Sequence, residues 1–231
     1  MTSLPTRRAR ITTSRPWSGL LLLGLFITWS QWAAAVEAGA EKVILVVGDS
    51  LSAGFGIPLA EAWPSLLGTR LTAAGYPYRV VNASISGDTT AGGARRIAPL
   101  LEEHRPAVVI LALGANDALR GLKPNEVRRN LDFMLGAVLR AGAVPLLLKL
   151  RVPPNYGPQY TAALEGVYED MFKRADVVAG PFMLEGFATD PAAFQADGLH
   201  PVAARQPDIL ATLWPSIESA LAAAGQRNNA Q

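Results

Sequence analysis

A strand-like apolar segment followed by a polar turn and then by a helical segment recurs five times along the chain. Four apolar runs, at residues 43–47, 79–82, 107–113 and 144–150, are rich in valine, leucine and isoleucine, and a weaker fifth lies at 177–179. Such runs, bounded by turns, are typical of buried parallel strands. We therefore predict a single α/β domain with three layers (α/β/α) and a five-stranded parallel sheet in flavodoxin-like order.

Five segments beside these strands are predicted to be helices, because their apolar residues recur every three or four positions and Gly or Pro follows. They are residues 62–74, 90–104, 124–141, a segment ending near residue 174, and 207–224. The carboxyl ends of parallel strands meet at one edge of a sheet. The polar turns after the first three strands contain Ser50, Gly87 and Asn116, so we expect these residues to lie close together.

The first forty residues follow a different pattern from the rest of the chain. Four arginines precede the first acidic residue, Glu37, and an apolar run extends from Trp17 to about Trp29, with small residues after it. This order is typical of a secretory signal peptide. A retained membrane anchor is the alternative, but the apolar run is shorter than the ~18 residues that a spanning helix needs.

We therefore divide the chain into three parts. Residues 1–40 are predicted to be a signal peptide that is cleaved after Ala35 or Ala40, residues 41–225 the folded domain, and residues 226–231 a polar tail. Export to the periplasm, or secretion, follows from this interpretation, and the mature protein is expected to have no stable membrane span.

The charge of the mature chain and its lack of cysteine exclude several classes of function. Loss of the four leader arginines leaves 17 basic against 19 acidic side chains, so the mature protein is close to neutral and gives no indication of nucleic-acid binding. The absence of cysteine excludes a thiol nucleophile, a disulfide framework and a cysteine-based zinc site.

Ser50 directly follows the first strand and is the candidate nucleophile. A serine in such a turn is also a common helix N-cap, and this position alone would favour capping. A serine hydroxyl needs an adjacent, oriented base to react. Of the two histidines, His104 lies at a helix end away from the strand exits, whereas His200 follows Asp197 by three residues in a glycine-containing turn. Asp197 is thus close enough in sequence to orient His200. The alternative is that these residues belong to a polar loop without a catalytic role, which could have the same sequence pattern.

Acyl transfer also requires hydrogen-bond donors directed at the oxyanion that forms on the attacked carbonyl. The backbone N–H groups of Ser50 and Gly87 and the side-chain amide of Asn116 are three candidates. Glycine at position 87 would let the backbone approach a substrate closely. The alternatives are that Gly87 only turns the chain and that Asn116 caps a helix.

Four polar blocks with a recognisable order support these assignments. They are Gly48-Asp49-Ser50-Leu51, Ser86-Gly87-Asp88-Thr89-Thr90, Gly114-Ala115-Asn116-Asp117 and Asp197-Gly198-Leu199-His200-Pro201. As a set, these blocks resemble those of the SGNH (GDSL-type) hydrolases. Within that family the chain is most similar to the exported bacterial arylesterase, acyl-CoA thioesterase and lysophospholipase group, through the segments 82–89, 119–121 and 151–157. Val202 is a departure, because members of the group often have a polar residue there.

The resemblance implies a serine esterase that forms an acyl-enzyme on Ser50, with Asp197 and His200 completing the triad. It implies an oxyanion hole made of Ser50, Gly87 and Asn116, and neither a metal nor an organic cofactor. The expected substrates are small-molecule aryl or acyl esters and thioesters, including lysophospholipids, with no more than transient contact with lipid.

Loops that contain Leu119, Val152 and Pro153 often border the acyl site in that group, so these residues are predicted to contact the substrate. Ordinary loop packing is the alternative. Two other functions remain open from the sequence. One is a carbohydrate O-deacetylase with the same catalytic groups, and the other is a noncatalytic ligand-binding relative of the same fold.

Overall fold

The computed structural model describes residue 2 and residues 41–152 and 154–228. The predicted signal peptide, apart from residue 2, lies outside the described residues, and so does Pro153. Within the described chain, none of the helices is both long enough and apolar enough to span a bilayer.

Five strands form one parallel sheet whose strand order is β2-β1-β3-β4-β5. The strands are β1 (Lys42–Gly48), β2 (Tyr78–Asn82), β3 (Val108–Ala112), β4 (Val144–Leu148) and β5 (Val178–Gly180). The order changes direction between β1 and β3, as in flavodoxin-like folds, and this confirms the predicted fold class.

The described residues form seven helices, and five of them cover the two faces of this sheet. The seven helices are α1 (Ser50–Ala53), α2 (Trp63–Ala73), α3 (Thr90–His104), α4 (Ala115–Leu119), α5 (Pro124–Arg140), α6 (Pro158–Phe172) and α7 (Gln206–Asn228). Helices α2 and α7 pack together on one face, and α3, α5 and α6 pack on the other. The molecule therefore has the predicted three layers.

The burial of the β1 side chains explains why the sequence of this strand is continuously apolar. Ile44 and Val46 belong to the core beneath α2 and α7, whereas Leu45 and Val47 belong to the core on the opposite face. All four are fully buried. Because successive side chains of a strand point to opposite faces, a central strand covered on both sides has no polar position. Each such side chain contributes about 1.5–3 kcal/mol to the hydrophobic stabilisation.

The main differences from the predicted elements are two short helices and shifts of one to four residues at the ends of helices and strands. Helices α1 and α4 have four and five residues and were not predicted, because they are too short to show a helical period. Helix α7 continues to Asn228, beyond its predicted end at residue 224. Near that end the guanidinium of Arg227 donates a hydrogen bond to the carbonyl oxygen of Ala143, which anchors the last turn to the sheet layer.

Candidate active site

The sheet topology brings the predicted functional turns to one edge. The turns after β1, β2 and β3 contain Ser50, Gly87 and Asn116, and these three residues line one cavity together with His200. The cavity lies at the carboxyl ends of the strands, where the strand order changes direction. Ligands of open α/β sheets bind at this place in general.

Ser50, His200 and Asp197 form a continuous row of hydrogen bonds. The Nε2 atom of His200 is 2.8 Å from the Oγ atom of Ser50, although the two residues are 150 positions apart in sequence. The Nδ1 atom of His200 is 2.7 Å from the Oδ2 atom of Asp197. These distances allow the serine proton to pass to the imidazole while the carboxylate holds the opposite ring nitrogen.

The Asp197 carboxylate is fixed by its own turn. Its Oδ1 atom accepts the backbone N–H groups of Leu199 and His200, at 2.9 and 3.0 Å. The hydrogen bonds from the backbone and side chain of His200, followed by that from Leu199, lower the pKa of Asp197 to about 2. The carboxylate is therefore ionised at any pH at which an esterase would work, and it accepts the imidazole N–H.

The alternatives in which Ser50 and Asn116 merely cap helices are wrong. Asp49, not Ser50, is the N-cap of α1, and its side chain accepts the N–H of Leu51. Helix α4 begins after Gly114, whose φ of 117° is in a region that favours glycine. Both short helices thus have another residue at the cap, which leaves the Ser50 hydroxyl and the Asn116 amide free for other contacts.

The three predicted oxyanion donors belong to residues that line the cavity. Within the described chain, the backbone N–H groups of Ser50 and Gly87 donate to no other backbone group. Gly87 has a φ of 78°, which again favours glycine. The carbonyl oxygen of Gly87, which belongs to the following peptide group, accepts a hydrogen bond from Arg120. The amide of Asn116 donates through Nδ2 to Asp49 at 3.3 Å.

The cavity beside these groups has a volume of about 540 Å³ and a largely apolar wall. Leu119 and Val152 line it, whereas Pro153 lies outside the described residues. Leu119 is 43% exposed and stands at the surface, whereas Val152 is buried and its N–H donates to Glu165. A cavity of this size and character accommodates an apolar group of a small ligand.

Several residues at the cavity were not predicted from the sequence. Phe182, Leu184 and Phe194 belong to the irregular segment between β5 and α7, where no periodic pattern exists to indicate a wall. Phe55 lies with its ring centroid 4.4 Å from that of His200. The amide of Gln195 donates to the carbonyl oxygens of Phe55 and Pro201, so it ties the segment that carries His200 to the turn after α1.

Two further carboxyl groups are buried close to the predicted site. Asp117 accepts hydrogen bonds from the backbone and hydroxyl of Thr90, at 2.8 and 2.6 Å, and so joins α4 to the start of α3. Burial raises the pKa of Asp117. Burial also raises the pKa of Asp49 to about 6. In the described chain, no group of three or more His, Asp or Glu side chains is arranged to hold a metal ion.

The second histidine lies away from this edge, as predicted. His104 is the last residue of α3, at the amino-terminal side of β3, and its side chain is 18% exposed. It is thus partly buried. It contributes nothing to the cavity that His200 lines.

The model of the GDSL-like Lipase/Acylhydrolase family matches residues 46–204, which include all four polar blocks. The chain belongs to this family. Esterase TesA of Pseudomonas aeruginosa is 45% identical to this GDSL-like hydrolase over 185 residues, covering 80% of the present chain and 92% of the relative. As a member of the family, the protein is a hydrolase of ester bonds.

Two other relatives of this GDSL-like hydrolase extend the comparison. Thioesterase 1/protease 1/lysophospholipase L1 of Escherichia coli K12 is 41% identical over 173 residues, covering 75% of this chain and 82% of the relative. The crystal structure of the psychrotrophic esterase EstA from Pseudoalteromonas sp., inhibited by monoethylphosphonate, superposes with a TM-score of 0.75 at 34% identity. That superposition covers 78% of this chain and 98% of the EstA chain.

Proposed function

We propose that this GDSL-like hydrolase cleaves aryl and acyl esters and thioesters through an acyl-enzyme on Ser50, with His200 as the base and Asp197 as its orienting acid. The observation that carries this proposal is the hydrogen-bonded row of Ser50, His200 and Asp197 at the wall of an apolar cavity. The hydroxyl and the base thus lie beside a cavity in which we propose that the acyl group binds.

In the acylation step, the Oγ atom of Ser50 attacks the carbonyl carbon while the Nε2 atom of His200 takes the hydroxyl proton. The C–O bond of the ester, or the C–S bond of the thioester, then breaks, and His200 passes the proton to the leaving alcohol or thiol. In the deacylation step, water loses a proton to His200 and attacks the acyl carbon. Ser50 departs with that proton, and the acid product leaves.

The tetrahedral intermediate of each step places a negative charge on the former carbonyl oxygen. The N–H groups of Ser50 and Gly87 and the side-chain amide of Asn116 are the proposed donors to this oxygen. Fixed donors in a site that excludes water stabilise such charge strongly, since they do not need to reorient during the reaction.

An apolar acyl or aryl group is proposed to lie in the cavity beside Leu119 and Val152. The largely apolar wall supports this choice, because an apolar group that binds there is removed from water. The relatives include an esterase and a thioesterase and lysophospholipase, and these activities fit the same cavity. Short-to-medium acyl chains and single-chain phospholipids are therefore the proposed range.

Export to the periplasm is part of the proposal. It is supported by the order of basic, apolar and small residues in the first forty positions. Amino-terminal sequencing of the protein recovered from the periplasmic fraction would test it, with a start at position 36 or 41 as the expected result.

The test of the proposed chemistry compares the wild type with Ser50→Ala on p-nitrophenyl esters and acyl-CoA thioesters from acetyl to palmitoyl. The wild type should hydrolyse both series, with kcat/KM rising beyond acetyl as the chain fills the cavity. Ser50→Ala should lose at least about 10⁴-fold in kcat, because the nucleophile and the base act as a unit. A fluorophosphonate should label the wild type at Ser50.

Ser52→Ala is the matched control, because Ser52 is a buried serine two residues away whose hydroxyl has no hydrogen-bond partner among the described residues. It should keep wild-type kcat and labelling. Wild-type turnover in Ser50→Ala would refute the proposed nucleophile. Activity confined to acetylated xylan would instead identify a carbohydrate O-deacetylase, and absence of both turnover and labelling would identify a noncatalytic binding protein.

A further inference from the structure

Asp49 is a buried carboxylate that the proposed mechanism does not use. It precedes Ser50 directly, and only 2% of its surface is exposed. The imidazole of His200 already has its own carboxylate partner in Asp197. A carboxylate that is buried against the reacting groups, yet has no part in proton transfer, calls for a different role.

The two oxygens of Asp49 are bound to two different parts of the proposed oxyanion hole. The Oδ1 atom accepts the backbone N–H of Leu51 at 3.1 Å and thereby caps the short helix that carries the N–H of Ser50. The Oδ2 atom accepts the side-chain amide of Asn116 at 3.3 Å. One side chain thus contacts the β1 turn and the β3 turn, which are 67 positions apart in sequence.

We propose that Asp49 is a positioning residue. It fixes the positions of two of the three oxyanion donors, the Ser50 N–H and the Asn116 amide, relative to each other. This proposal rests on the proposed function, since it assigns a role in the same reaction. Asp49 acts through these donors, because its two oxygens are bound to Leu51 and Asn116.

The orientation of the Asn116 amide follows from the chemistry of its partner. An ionised carboxylate only accepts hydrogen bonds, whereas an amide has an accepting oxygen and a donating NH₂ group. Asp49 therefore selects the rotamer in which the NH₂ group of Asn116 faces it. That group has two hydrogens, and the one that is not bound to Asp49 remains for the oxyanion.

Burial opposes the charge of Asp49. Burial raises the pKa of Asp49 to about 6. The hydrogen bond from Leu51, the nearby His200 and the amide of Asn116 lower this pKa, but their combined effect is smaller than that of burial. The charge of Asp117 raises it slightly further. The carboxylate is thus ionised at neutral pH in surroundings that oppose its charge, which is typical of a group kept for function.

Two substitutions separate the proposed role from a general structural one. Asp49→Asn has nearly the same shape and still caps α1, but its NH₂ group would face the NH₂ group of Asn116 and force that amide to turn away. Asp49→Ser also caps α1, because serine is a preferred N-cap residue, but it is too short to reach Asn116. The conservative variant should therefore be the more harmful one.

The experiment measures kcat and KM for both Asp49 variants, alone and combined with Asn116→Ala, on one p-nitrophenyl ester. Asp49→Asn should lower kcat by about 10- to 100-fold, somewhat less than removal of a whole donor, and Asp49→Ser by about 3- to 10-fold. KM should change by less than about three-fold, because the donors act on the transition state. In the Asn116→Ala background, both Asp49 variants should change kcat by less than about three-fold.

Equal or reversed ranking of the two variants would overturn the proposal. The proposal would also be overturned if the Asp49 variants lowered kcat by the same factor in the Asn116→Ala background as in the wild type. Effects confined to KM or to the melting temperature would overturn it as well. Ser50→Ala, measured alongside, separates this failure from failure of the proposed function. If Ser50→Ala is inactive while the Asp49 ranking fails, only the positioning role is wrong, whereas turnover in Ser50→Ala would refute the proposed mechanism itself.

Discussion

Asn116 differs from the other two proposed oxyanion donors because its N–H group belongs to a side chain. Substitution can therefore remove this donor without altering the backbone. The residue is partly buried, and its helix α4 is also held through the neighbouring Asp117.

Asn116→Ala should lower kcat by about 10²- to 10³-fold, because one fixed donor to the developing charge is lost. KM should change little, since the neutral ester does not yet use this donor fully. Steady-state kinetics on a p-nitrophenyl ester would test this, and thermal unfolding would serve as the control for folding. A kcat within about three-fold of the wild type would contradict the assigned role.

At the scale of elements, the turn after β3 depends on one glycine. Gly114 has a φ of 117°, and a Cβ atom there would lie 1.9 Å from the hydroxyl of Tyr168. That hydroxyl donates to the carbonyl of Leu113 at 2.7 Å, and Tyr168 is fully buried in α6. The turn that presents Asn116 is therefore packed directly against a helix of the neighbouring layer.

Gly114→Ala should lower the free energy of unfolding by more than about 3 kcal/mol, because backbone strain and overpacking both oppose the new methyl group. The matched control is Gly142→Ala, at a φ of 78° with no atom within 4 Å of the added Cβ, where only the backbone strain of about 1–2 kcal/mol applies. Urea unfolding measures both values. Equal losses in the two variants would show that the contact with Tyr168 does not matter.

At the scale of the whole molecule, two carboxyl groups at the same edge of the sheet influence stability in opposite directions. The pKa of Asp197 is lowered to about 2 by its hydrogen bonds, so its contribution is present above about pH 4 and is lost as the pH falls towards 2. The pKa of Asp49 is raised by burial from 3.8 to about 6, so the folded state binds this proton more tightly than the unfolded state. Ionisation of Asp49 therefore lowers stability as the pH rises from about 4 to 6.

Asp49→Asn removes this titration and should become more stable relative to the wild type as the pH rises. Because the pKa of Asp49 is shifted from 3.8 to about 6, the free energy of unfolding of Asp49→Asn should rise by about 3 kcal/mol relative to that of the wild type. This relative gain should be complete by about pH 7. Urea unfolding of both proteins at several pH values from about 4 to 7 measures it. A difference that stays constant across this range would contradict the raised pKa.

The sequence by itself determined the layered α/β fold. Apolar runs such as those containing Leu45 and Ile110 are buried on both sides only in the interior of a covered parallel sheet, and the helical period between them leaves few other architectures. The same local patterns marked Ser50, Gly87 and Asn116, because residues at the ends of parallel strands share one edge.

The tertiary structure alone decided which side chains surround these residues. The contact of Asp49 with Asn116, the ring of Phe55 on His200 and the link through Gln195 join segments that are far apart in sequence and carry no periodic pattern. Local sequence determines backbone conformation through short-range sterics and burial, whereas contacts between irregular loops depend on how the whole chain closes around the sheet.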